Sequence, residues 1–147
     1  MTVVPYAPMP RAAGVAGLLL CWLLVLAAPP ARCGEPMDKE TEQLLVNAVE
    51  AAFELDLYNA RCRSDQSGRN TENLNKELAS RLRMTVIDVQ DDLFPEGYYR
   101  DAQARMERDF LARLRDIGGC DGAKKAGLRD SLGERYDTAM EQIAKRP

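Results

Sequence analysis

The sequence predicts an all-α protein: a small antiparallel bundle of three to four helices, tied by one disulfide and preceded by an N-terminal signal peptide. Three observations carry this reading. An unbroken apolar run, Ala12 to Ala28, follows a lone arginine, Arg11. Downstream, apolar residues recur at steps of three and four, the spacing of one helix face. Two cysteines, Cys62 and Cys120, lie in the part of the chain that an export pathway would deliver.

The apolar run is about 17 residues, long for a signal and short of the roughly 20 that a membrane span needs. Pro29 and Pro30 stop it abruptly. Ala31 and Cys33 then place small residues at −3 and −1 of a cut after Cys33. The expected division is a secretory signal over residues 1–33 and a single helical domain over residues 34–147, periplasmic or secreted. An uncleaved anchor and lipid attachment at Cys33 are the competing readings. The second is disfavoured by Pro30 and Arg32 where lipoprotein processing prefers small or aliphatic residues. No stable membrane span is expected once the signal is removed.

Each later segment has its own start and stop. The first helix is expected from about Lys39 to Arg63, with Val46, Val49, Phe53, Leu57 and Ala60 as its apolar stripe. The polar run Ser64 to Arg69 turns the chain. A second helix opens at Asn70 or Thr71, both good N-caps, and Leu74, Leu78 and Leu82 lead into Val86, Val89 and Leu93. The β-branched run around Thr85 to Val89 favours extended backbone, so a break there is the alternative to one continuous helix. Pro95 and Gly97 end the segment. The third helix carries Tyr99, Met106, Phe110, Leu114 and Ile117, and Gly118-Gly119 closes it. A short extra turn capped by Asp121 precedes a fourth helix, about Leu128 to Lys145.

If these helices alternate in direction, the end of the first and the end of the third meet at one pole. Cys62 and Cys120 sit at those two ends. In an oxidising compartment they are expected to form a disulfide. It would close a loop of about 60 residues, worth about 4 kcal/mol by chain entropy.

Composition excludes several chemistries. The chain has no histidine. A Ser-His-Asp or Cys-His site, His-ligated zinc and His-ligated haem are therefore impossible. No C-x-x-C pair, phosphate-binding glycine loop or nucleophile elbow is present. No enzyme activity and no cofactor is expected. Without the signal, about 18 basic residues face 23 acidic ones. That mildly acidic balance, with no basic stripe, argues against nucleic acid.

Two constellations remain as candidate sites. Phe94, Tyr98 and Tyr99 crowd one interhelix turn, and such aromatics either plug the open end of a bundle or serve as binding anchors. They are the expected contact surface for another envelope or extracellular protein, in an accessory or inhibitor-like role. Beside them, Asp88, Asp91, Asp92 and Glu96 form the alternative: a small-ligand or divalent-cation site, since hard cations are held by clustered oxygens.

Overall fold

The computed structural model describes residues 37–146. The expected signal segment and its cut at Cys33 lie outside the described residues. Within them the chain is all-helical. The elements are α1 (Lys39–Cys62), α2 (Arg69–Leu82), α3 (Val86–Leu93), α4 (Tyr99–Asp116), α5 (Gly119–Lys125) and α6 (Leu128–Ala144).

Helix α1 is the hub and packs on α2, α3, α4 and α6. Named contacts give the directions. Glu40 near the start of α1 pairs with Arg146 beyond α6, and Glu54 farther along pairs with Arg135, so α1 and α6 run antiparallel. The start of α2 lies against Asp56 in the second half of α1, and the end of α3 lies beside the first turns of α1. Together α2 and α3 therefore retrace α1. Helix α4 then runs back, with Arg105 near Glu50 and Arg113 on Glu54. That brings Cys120 to Cys62, which are joined as a disulfide with Cα atoms 5.4 Å apart.

The core differs from the expected stripe on α1. Its fully buried positions are Leu45, Ala48, Val49, Ala51 and Ala52, with Leu55 and Tyr58 nearly so. Phe53, Leu57 and Val46 are only partly buried. The first helix is apolar on two sides, and periodicity alone fits either. The inward side carries Ala48, Ala51 and Ala52 among larger residues, and Leu132, Tyr136, Ala139 and Ile143 are buried on α6, which packs on it. The other expected faces are in place in part: Leu74 and Leu78 on α2, Val86 and Val89 on α3, and Met106, Phe110 and Leu114 on α4 are buried, whereas Leu82, Leu93 and Tyr99 are intermediate and Ile117 is exposed.

The second expected helix is two. Arg83 adopts φ +55° and ends α2. Thr85 then caps α3 in a reciprocal box, its hydroxyl accepting from the Asp88 N–H while the Asp88 carboxylate accepts from the Thr85 N–H. Extended backbone at Thr85 meets its β-branched preference, and helix resumes at Val86. The short α5 also departs from expectation. Its N-cap is Gly118, at φ +93°, and Asp121 lies inside the helix. Gly118 takes the cap because this left-handed conformation is open to glycine and strained for aspartate.

Candidate functional site

The Pro95 turn was the expected contact surface, and its three aromatics separate. Phe94, the last residue before the turn, is 4% exposed and packs in the core beneath the Arg105 guanidinium. Its ring is part of the buried core. Tyr98 is exposed at 44%. Tyr99 is intermediate, meets the Tyr98 ring edge-on at 5.2 Å, and accepts a hydrogen bond from Arg100 through its hydroxyl.

Three of the four acidic residues beside this turn, Asp88, Asp91 and Glu96, have structural partners. Asp88 belongs to the α3 capping box, which keeps its carboxyl below the usual aspartate range. Asp91 accepts from the Tyr99 N–H, so it caps the start of α4 from α3. For Glu96, burial pushes the carboxyl up, but its own backbone N–H and the Arg105 guanidinium outweigh this and hold it below its ordinary value. Asp92 is exposed. Among the described residues no group of three or more His, Cys, Asp or Glu side chains is placed to hold a metal.

Helix capping from a neighbouring helix recurs across the fold. The first backbone N–H groups of a helix have no partner within it. The N-cap of α2 is Gly68, which has no side chain to supply one. Asp56 of α1 does so, accepting from Asn70 N at 3.1 Å, Thr71 N at 2.8 Å and Asn70 Nδ2 at 2.7 Å. Asn75 of α2 likewise accepts from the Val86 N–H at the start of α3, at 2.9 Å. With Asp91, these side chains stitch α1 to α2, α2 to α3 and α3 to α4.

An open surface cleft among the described residues lies elsewhere, and sequence reading missed it. It is an open groove of about 580 Å³ along the second apolar side of α1. Phe53, Leu57 and Ala60 form one wall and Val86 and Ile87 of α3 contribute to the other. Ile87 is 46% exposed, the most exposed large apolar residue among the described ones. The rim is polar: Asp65 and Gln66 come from the α1–α2 turn, Glu72 and Asn75 from α2. On the α4 side Gln103 donates to the buried Gln90 Oε1 at 3.0 Å, which fixes its amide. The signal was present in the sequence as the two-sided apolar pattern of α1. A helix with more apolar faces than the core can cover leaves one of them at the surface.

No protein-family model, curated protein or solved structure matches this chain.

Proposed function

We propose that the chain is an exported, non-enzymatic binding protein whose partner is another envelope or extracellular protein. In this reading residues 1–33 are a cleaved secretory signal. The mature part is a four-span antiparallel bundle in which α2 and α3 together make one span and α5 is a corner. The disulfide supports an oxidising compartment. No helix of the described residues is long and apolar enough to cross a membrane.

The observation that carries the binding reading is the groove. An apolar strip with polar edges is the usual anatomy of a protein contact. Phe53, Leu57 and Ile87 would be its anchors, which moves the proposed surface away from the Pro95 turn. A small apolar ligand is the second reading, favoured by a volume within the range of about 300–1,000 Å³ common to ligand pockets.

The test is site-specific photo-crosslinking in cells that export the protein, with a benzophenone side chain placed at Ile87 or at Tyr98. A discrete protein adduct from position 87 and none from 98 is the expected result. An adduct from 98 alone returns the surface to the Pro95 turn. Silence at both, with a small molecule co-purifying and displaced by Leu57→Trp, establishes the second reading instead.

A further inference from the structure

We infer that the occupant of the groove is a short amphipathic helix of the partner that carries basic side chains beside its apolar stripe. This rests on the groove being the binding surface and names the chemistry that fits it. The wall on α1 is built from positions 53, 57 and 60. Steps of four and three make a ridge on the side of a helix, and such a ridge packs against the grooves of another helix. The wall is about 10 Å long, two helical turns, which suits two or three apolar anchors spaced the same way.

Charge then selects the partner. Among the described residues, every ionisable one lining the groove is a carboxylate: Asp56, Asp65 and Glu72. None of the described lysines or arginines lines it. Asp56 is committed to the start of α2, so Asp65 and Glu72 are the groups that would meet a ligand. Lys76 lies 2.7 Å from Glu72, but both side chains are over 60% exposed. A pair that open to water contributes little and yields readily to a competing cation. Hydrogen bonds from Ser67, helped by Arg69 and Arg63 nearby, hold the Asp65 carboxyl below its ordinary range, and neither arginine is among the residues lining the cleft. An incoming lysine or arginine would therefore find ionised acceptors at the edge of an apolar floor. Such complementarity raises the encounter rate and rejects acidic competitors.

The experiment titrates the oxidised protein with three synthetic peptides. The first is a helix of about 18 residues with leucines on one face and lysines on the other. The second replaces each lysine with glutamate, and the third scrambles the first so that no apolar face forms. The Leu/Lys helix is expected to bind, the other two to bind at least about tenfold more weakly. Ile87→Lys, and separately the double variant Asp65→Lys/Glu72→Lys, should each weaken the Leu/Lys helix about tenfold. Asp137→Lys/Glu141→Lys, the same charge change on the exposed side of α6, should leave it within about twofold. Urea midpoints of all variants show that each is folded. Equal binding of the Leu/Glu helix, equal binding of the scramble, or equal weakening by the α6 control overturns the inference. These outcomes leave the groove itself standing, because that reading falls only with the crosslink at position 87.

Discussion

Removing the Asp56 carboxylate should destabilise the whole bundle, although the residue is neither buried nor part of an ion pair. Its two oxygens satisfy two of the orphan N–H groups at the start of α2 and the Asn70 amide besides. Gly68 offers no replacement. A side-chain cap is worth about 1–2 kcal/mol. A negative charge at a helix N-terminus adds about 0.3–1 kcal/mol, less when exposed. Water can reach the freed N–H groups because Asp56 is only partly covered, so the upper end of the sum does not apply. Asp56→Ala should cost about 2 kcal/mol, and Asp56→Asn, which keeps one acceptor and loses the charge, about 1 kcal/mol.

The assay is urea unfolding of the oxidised protein at pH 7, followed by far-ultraviolet circular dichroism. The midpoint should fall with an unchanged slope. For a domain of this size the alanine loss corresponds to a Tm lower by roughly 10 °C. A second variant removes ambiguity: Asn59→Ala, on the adjacent position of α1, perturbs the helix without touching the cap. An Asp56→Ala loss below about 0.5 kcal/mol, or one matched by Asn59→Ala, would refute the idea that α1 caps α2.

Three further outcomes are expected. Cys62→Ser and Cys120→Ser should each lower stability by about 4 kcal/mol, and the double variant should add little, because either change opens the same loop; unequal single losses in urea would contradict this. Gly122→Ala should be severe, since an added Cβ would lie 1.6 Å from the Ile117 carbonyl oxygen where α4 turns into α5, whereas Gly133→Ala meets nothing within 4 Å and should stabilise by about 1 kcal/mol; calorimetry on the pair checks both signs. Acid should destabilise the fold. Glu96 and Asp88 have folded-state values below the ordinary 4.5 and 3.8, so below those values the unfolded chain takes up protons first. Stability is then full above about pH 5 and lost as pH falls through the depressed values. Glu96→Gln should flatten that fall, and an unchanged pH profile would show that Glu96 contributes none of it.

Much of the fold was legible because most segments have one apolar face. Leu74, Leu78, Met106, Phe110 and Leu114 could be assigned to the core from spacing alone, and their burial follows. The disulfide was legible for a topological reason: the ends of the first and third spans meet only if the chain alternates, and Cys62 and Cys120 occupy those ends. The inward side of α1 was not. Phe53 and Leu57 on one side, and Leu45, Ala48, Ala52 and Leu55 on the other, recur at the same steps of three and four, so spacing alone does not decide between them. The carboxylates were the least legible. Asp88, Asp91 and Glu96 are close in sequence and look like a cluster, but each answers to a different partner: Thr85, the Tyr99 N–H and Arg105. Capping across 14 residues, as by Asp56, leaves no local pattern at all.

The division of labour on α1 follows from its two apolar sides. A helix that contacts four others needs close approach as well as bulk, and Ala48, Ala51 and Ala52 are buried among its larger core residues. The larger Phe53 and Leu57 side chains instead form one wall of the groove. A continuous helix through the break between α2 and α3 would follow one axis along α1. The break sets where α3 begins, so that Val86 and Ile87 both line the groove, Val86 buried and Ile87 exposed. The groove therefore depends on the α2–α3 break, and the break depends on the Thr85 box and on Asn75 holding the Val86 N–H. Asn75→Ala should weaken peptide binding at the groove more than any exposed α6 substitution does, with only a modest drop in urea midpoint of about 1 kcal/mol. If binding and stability instead fall in strict proportion, Asn75 supports the fold and has no separate part in shaping the site.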